Sequence, residues 1–151
     1  MIPIPEPAEY FRTVWEIVRQ VPTGQVTTFK QIAEMIPPPA GIEEDDYVKV
    51  GPRWVGDALN AVSIPDEPTV PWHRVINSRG SISLPELSEG AALQRGRLIA
   101  EGVEFDAKER VDFGRYGWEG PENAWIEANG LRPARSLRKN VDQGPQQLSL
   151  F

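Results

Sequence analysis

His73 is the only histidine in this 151-residue chain, and the chain has no cysteine. The histidine stands in the run Pro71-Trp72-His73-Arg74-Val75, between an indole that can stack on a flat partner and a guanidinium that can bind a carboxylate or a phosphate. An imidazole can move a proton near neutral pH, but here it has no thiol to activate. Zero cysteine also removes disulfides and thiolate zinc sites, and one histidine makes no cluster for a transition metal. The carboxylates show no magnesium-site spacing. Neither a metal nor any other cofactor is expected.

The residues around this run form one domain with a tail. A hydrophobic content of 40% and five tryptophans can fill a core. No stretch approaches the roughly 18 to 20 apolar residues of a membrane span. The opening Met1-Ile2-Pro3-Ile4-Pro5-Glu6 has neither a basic region nor an apolar signal run, so a cytoplasmic location is expected. A net charge of -6 argues, taken alone, against a nucleic-acid partner. The charge is uneven, however. Glu43-Glu44-Asp45-Asp46 is acidic, Arg74 and Arg79 flank the histidine run, and Arg132, Arg135, Arg138 and Lys139 cluster near the end, which leaves room for a local basic face.

Phe11, Val14, Trp15, Val18 and Val21 recur at helical spacing and predict an amphipathic helix over 8–21, stopped by Pro22-Thr23-Gly24. Thr28 and Gln31 predict a capping box opening a short helix over 29–36. Pro37-Pro38-Pro39 then begins a long loop that holds the acidic run and reaches Gly51. Pro52 suits the first turn of a third helix carrying Val55, Ala58, Leu59 and Val62. Ile64 to Pro68 reads as a loop. Val75-Ile76, the turn Asn77-Ser78-Arg79-Gly80 and Ser81 to Leu84 read as a small hairpin. Ser88 can cap a helix running to Glu101, and Gly102 suits its left-handed stop. Val103 to Trp118 holds short extended pieces. Residues 120–146 read as mostly disordered, with one docked piece around Trp125-Ile126.

The run Pro71-Trp72-His73-Arg74-Val75 resembles the active-site signature Pro-Cys-His-Arg-Val of the O6-alkylguanine-DNA alkyltransferases, with Trp72 in the nucleophile's place. The resemblance extends in order from Ala8 to Phe105. Val14-Trp15-Glu16 and Pro22 to Val26 resemble the opening helix and turn, and Gln31-Ile32-Ala33 the first helix of the helix-turn-helix. Pro52 to Leu59 resembles the recognition helix, and Leu98 to Val103 the helix carrying the family's catalytic glutamate. The resemblance implies the non-enzymatic, alkyltransferase-like branch. Its fold would be mainly α with a small β-hairpin, a winged-helix-like helix-turn-helix domain over 8–118, followed by a flexible tail over 119–151. Its function would be to bind O6-alkylguanine in double-stranded DNA by flipping the base into a Trp-lined pocket, and to flag it for nucleotide excision repair. Alkyl transfer would be absent, since an indole is no usable nucleophile at neutral pH.

The resemblance also implies roles. Trp72, His73, Arg74, Phe29 and Ser83 would line the lesion pocket. Trp72 would stack on the extruded base, and His73 would hold Glu101 as the remnant of a proton relay. Arg74 would pair with an internal carboxylate or contact a phosphate. Arg53, at the start of the recognition helix, would fill the gap left by the base, with Thr27, Thr28, Trp54 and Gly56 also facing DNA. Phe29 stands where the family has a tyrosine pressing on the 3′ phosphate, so the ring is kept and the hydroxyl lost. The acidic run is expected to point away from the duplex. The alternative is a winged-helix-like transcriptional or protein-interaction module that has lost lesion binding.

The chain ends Gln147-Leu148-Ser149-Leu150-Phe151, which resembles the pentapeptide by which bacterial repair and replication proteins dock on the DNA polymerase sliding clamp. Leu150 and Phe151 would be adjacent apolar anchors and Gln147 a hydrogen-bonding rim residue, with Leu148 also among the clamp-binding residues. This resemblance implies a bacterial, nucleoid-associated protein with the clamp and excision-repair proteins as partners. A monomer is expected.

Overall fold

A computed structural model describes residues 2–62 and 68–138. The first helix, α1 (Pro7–Arg19), opens on a proline in its first turn, where a missing N–H leaves no bond unmade. Tyr10, Val14, Ile17 and Val18 form its buried stripe. A two-residue strand, β1 (Thr27–Thr28), leads straight into α2 (Phe29–Met35). The Thr28 hydroxyl oxygen accepts the Gln31 backbone N–H at 2.9 Å, so the cap forms. The other half of the capping box does not. The Gln31 side chain accepts from the Thr27 hydroxyl at 2.6 Å and donates to the carbonyls of Trp118 and Arg135, both at 3.0 Å. A buried amide must satisfy both its ends, and these partners do so away from the helix terminus.

Helix α3 (Glu44–Asn60) corrects the expected loop and the expected helix start at Pro52. The acidic run is its N-terminus: Glu44, Asp45 and Asp46 occupy the first turn, where the helix dipole favours negative charge. Pro52 lies inside the helix and forfeits one backbone hydrogen bond. Burial offsets that loss. Tyr47, Gly51, Trp54, Val55 and Ala58 face the core along one stripe. Trp54 packs edge-on to Tyr10 at 5.5 Å between ring centroids and lies 5.9 Å from Tyr47. Tyr47 donates to the Ala33 carbonyl at 2.9 Å, so the 2.7 Å contact between the Tyr10 and Tyr47 hydroxyls has Tyr10 as donor. Gly51 lets α3 approach α2: a Cβ there would lie 3.1 Å from that of Ala33.

The two-stranded sheet pairs differently from the expected hairpin. Strand β2 (Val75–Ile76) runs parallel to β1, with Thr27 opposite Val75 and Thr28 opposite Ile76. The turn after β2 does form, closed by Asn77 N–H to the Ser81 carbonyl at 3.0 Å, but Ser81 to Leu84 adds no strand. The Asn77 side-chain oxygen accepts from Arg79 N, Ser81 N and the Ser81 hydroxyl, which turns the chain away from a ladder. Helix α4 (Glu89–Ala100) has Ser88 as its cap and Gly102 at φ +94 just beyond it, both as expected. The stretch 103–118 contains a bridge between Phe105 and Val111 and a single-turn helix, α5 (Phe113–Tyr116).

The chain stays docked well past residue 118, which corrects the expected flexible tail for residues 119–138 except around Trp125-Ile126, where docking was expected. Helix α6 (Asn123–Ala128) buries Ile126. Arg132 N–H donates to the Met35 carbonyl at 2.7 Å, Leu137 N–H to Trp118 at 3.2 Å, and the Arg138 side chain to Gly117 at 2.8 Å. The sequence hides this docking because backbone groups make much of it. Two cores result. One joins α1, α2 and α3 to Val70, Val75, Trp118 and Ile126; the other joins Val26, Ile76, Leu98, Val103, Val111 and Tyr116. Among the described residues no helix is long and apolar enough to cross a membrane.

Candidate nucleic-acid interface

Residues Trp72–Arg74 form one 3-10 turn between Val70 and β2, closed by Arg74 N–H to the Pro71 carbonyl at 3.0 Å. A turn this tight sends successive side chains in different directions. Trp72 goes to one side, and His73 and Arg74 go to the other. The expected lesion-pocket group of five is therefore divided.

On the first side lies an open cavity of about 480 Å³. Phe29, Gly56 and Leu59 wall it from α2 and α3, Trp72 and Val75 from the turn and β2, and Ser83, Leu84 and Pro85 from the following loop, with Gln94 of α4 completing the lining. Asn60 and Val62 also reach it, and among the described residues no charged side chain lines it. Trp72 is partly buried, and the Arg97 guanidinium carbon sits 5.5 Å from the centre of its ring. The cavity offers aromatic faces on a largely apolar wall, with exposed Ser83 and Asn60 among its polar groups. That lining suits a flat, weakly polar ring.

On the second side His73, Arg74 and Glu101 form a closed electrostatic unit. Glu101, at the C-terminal cap of α4, accepts from His73 Nε2 at 2.7 Å, from Arg74 Nη2 at 2.8 Å and from the Gly24 backbone N–H at 3.0 Å. Arg74 also donates to the Val21 carbonyl at 2.8 Å and to the Thr23 hydroxyl at 3.0 Å. Burial pushes the Glu101 carboxyl upward, but the Arg74, Gly24 and His73 donors outweigh it and hold it down at about 2. Burial pulls His73 below its usual value despite the neighbouring carboxylate. The ring is neutral at pH 7, with Nε2–H donating to Glu101, and Nδ1 is buried without a partner among the described residues. His73 is 7% exposed. His73 and Arg74 line a separate space of about 510 Å³ with Arg19, Arg97 and Glu101, not the Trp72 cavity. Of the two alternatives for Arg74, the internal carboxylate is the one realised.

The expected DNA-facing group is also sorted. Arg53 is exposed on α3 and makes no ion pair with a described residue, though it lies mid-helix and not at the helix start. Gly56 lies one turn further on, at the cavity wall. Trp54 is 2% exposed, its indole N–H donating to the Ile2 carbonyl at 3.3 Å, so it belongs to the core and not to a DNA surface. Thr27 and Thr28 are 0% and 2% exposed, with both hydroxyls engaged by Gln31, so neither is free to meet a phosphate. A tryptophan and two hydroxyls read as surface groups were drawn inward because the helix and sheet of this fold gave them partners.

Arg132 is held by Glu44 at 2.9 Å and Arg138 by the Gly117 carbonyl, so the C-terminal arginines serve partly as structural ties. Lys139 and the motif residues Gln147, Leu148, Leu150 and Phe151 lie outside the described residues, as does most of the Ile64–Pro68 loop. Asp45 stands eight residues before Arg53, about 12 Å along the helix axis at 1.5 Å per residue. Among the described residues no group of three His, Cys, Asp or Glu side chains is placed to hold a metal ion. Gln94, which was not among the expected site residues, joins the cavity wall from α4. Its signal was available, since Gln94, Leu98 and Glu101 fall at i, i+4 and i+7, on one face of α4.

Residues 9–103 match the family model described as the 6-O-methylguanine DNA methyltransferase DNA-binding domain. The chain is 37% identical over 117 residues to Alkyltransferase-like protein 1 of Schizosaccharomyces pombe, covering 78% of this chain and 94% of that protein. It is also 37% identical over 107 residues to the DNA base-flipping protein of Escherichia coli, covering 70% of each. The crystal structure of S. pombe Atl1 in complex with damaged DNA containing O6-carboxymethylguanine is similar in fold, with a TM-score of 0.55 and 34% identity over 74% of this chain and 95% of that one.

Proposed function

Because this chain belongs to the family of the 6-O-methylguanine DNA methyltransferase DNA-binding domain, we propose that it reads O6-alkylguanine in duplex DNA by extruding the base into the Trp72 cavity. It is not an alkyl-transferring enzyme. The signature position holds Trp72, no cysteine exists in the chain, and the His73–Glu101 pair has no thiol to activate. The observation that carries the reading is the cavity walled by Phe29 and Trp72 beside α3, with no charged lining among the described residues. Extrusion of a base from the stack costs a few kcal/mol, least where pairing is already damaged, and stacking on an aromatic face returns part of it. Alkylation at O6 weakens pairing with cytosine, so the lesion is cheaper to extrude than guanine. Arg53, planar, exposed and donor-rich, is the side chain that fills the vacated stack.

The test is titration of the intrinsic tryptophan fluorescence with two matched duplexes, one holding O6-methylguanine and one guanine, at a fixed and stated salt concentration. The lesion duplex is expected to bind tighter by about tenfold or more, equivalent to about 1.4 kcal/mol. Equal affinity, or none for either, would favour the transcriptional or protein-interaction module instead.

A reader that leaves the lesion in place needs a process that removes it, and nucleotide excision repair is the partner in this reading. The terminal Gln147-Leu148-Ser149-Leu150-Phe151 adds the sliding clamp of a bacterial replisome as a second partner and puts the protein at work on the nucleoid. Deletion of residues 147–151 is expected to abolish binding to immobilised clamp while lesion affinity stays within about twofold. Retained clamp binding after the deletion would overturn that assignment.

A further inference from the structure

We propose that Gln94 reads the exocyclic 2-amino group of the extruded base, an assignment that rests on the lesion-reading function above. Gln94 is 3% exposed. Its side-chain NH2 donates to two backbone carbonyls, of His73 at 3.1 Å and of Val75 at 2.9 Å. Both neighbours are acceptors only, so the amide has one allowed orientation: nitrogen toward the turn and oxygen away from it. No donor among the described residues reaches that oxygen, and Gln94 lines the cavity together with Trp72 and Phe29. Ser83 and Asn60, which also line the cavity, are exposed to solvent. The cavity thus holds, on a buried side chain, one oriented acceptor that no described protein donor uses.

Such an acceptor is met by water while the cavity is empty, and once a base displaces that water it is left unpaired unless the base brings a donor to it. Alkylation at O6 removes the hydrogen from guanine N1, so the 2-amino group is the remaining donor on the pairing edge of the lesion. The same turn that carries Trp72 therefore sets both contacts. Trp72 offers the base a face, and the His73 and Val75 carbonyls orient the amide that meets its edge. A base with no 2-amino group would stack equally well and leave the Gln94 oxygen unsatisfied.

The experiment compares three duplexes, with guanine, O6-methylguanine or O6-methylhypoxanthine opposite cytosine, against the full chain. Hypoxanthine lacks only the 2-amino group. Wild type is expected to bind the O6-methylguanine duplex about tenfold or more tightly than the O6-methylhypoxanthine duplex, since a site built around a hydrogen bond rejects the analogue lacking it. Removing the amino group also weakens pairing with cytosine and eases extrusion, so pairing strength runs against this expectation and cannot imitate it. Gln94→Met is expected to bind the two alkylated duplexes within about twofold of each other. Gln94→Leu serves if Gln94→Met does not fold, and the wild-type comparison depends on neither. Equal wild-type affinity for the two alkylated duplexes, or a full gap retained by the folded variant, would overturn the assignment. Equal affinity for O6-methylguanine and guanine would remove the lesion reading beneath it and is seen in its own arm.

Discussion

Trp72→Ala is expected to weaken binding of an O6-methylguanine duplex by roughly 5- to 150-fold, the range that corresponds to 1–3 kcal/mol of base stacking. Affinity for the matched guanine duplex is expected to stay within about twofold, because binding to phosphates does not involve the cavity. The indole is partly buried at the cavity wall, with Arg97 over its ring, so truncation removes a stacking surface without opening either core. Trp72→Phe keeps an aromatic face and is expected to retain part of the discrimination. Fluorescence anisotropy of labelled duplexes measures both, since the variant loses an intrinsic reporter. Unchanged discrimination in Trp72→Ala would rule out Trp72 as the platform for the base.

Glu101→Ala is expected to cost about 3 kcal/mol of folding stability, because removing one partner of a buried ion pair strands the other. Arg74 and Glu101 side chains are both 14% exposed, and among the described residues the alanine variant leaves Arg74 only the Val21 carbonyl and the Thr23 hydroxyl. The same change unties Gly24 N–H and His73. For a domain of this size the loss corresponds to a fall in Tm of about 10 °C. The pH dependence carries a signature of the unit. The Glu101 carboxyl is held down at about 2, so its stabilising share is present above the unfolded carboxyl range and disappears as pH falls toward 2. His73 is also held below its ordinary value, so the unfolded chain takes up that proton first and stability falls below about pH 6.5 as well. Both contributions have one sign. Wild type is expected to lose stability continuously on acidification and to gain none from these groups above pH 7, whereas Glu101→Ala is expected to lack the steep acid limb below pH 4.5. Urea unfolding at pH 7, 4.5 and 3 checks this, and parallel profiles for the two proteins would contradict it.

Much of the fold was legible in local sequence because local rules decide it. The α1 stripe follows from helical spacing, the caps at Thr28 and Ser88 from their hydroxyls, and the stop at Gly102 from a left-handed backbone. Pro52 misled because its local penalty was visible and the Tyr47–Trp54–Tyr10 cluster that overrides it was not. The hairpin misled for a similar reason: β2 takes its partner from Thr27–Thr28, 48 residues away in the Thr27–Val75 pair, and a parallel partner leaves no turn signal beside it. Residues 119–138, apart from Trp125-Ile126, read as tail because backbone hydrogen bonds make much of their docking and leave little side-chain pattern.

For the site, the sequence by itself determined the chemistry. The absence of any thiol excludes alkyl transfer to cysteine, and the residues Trp72, His73, Arg74 and Glu101 supply an aromatic face and a proton-relay remnant without a nucleophile. Side-chain type decides what a group can do, and type is read directly from the chain. Only the tertiary structure decided which groups meet. It divided one five-residue run between two cavities, sent Arg74 and His73 to Glu101, drew Trp54, Thr27 and Thr28 inward, and brought Gln94 to the wall that Trp72 and Phe29 share. The direction a side chain takes from a 3-10 turn, and the partner that waits there, are set by packing between elements distant in sequence, which spacing along the chain does not encode.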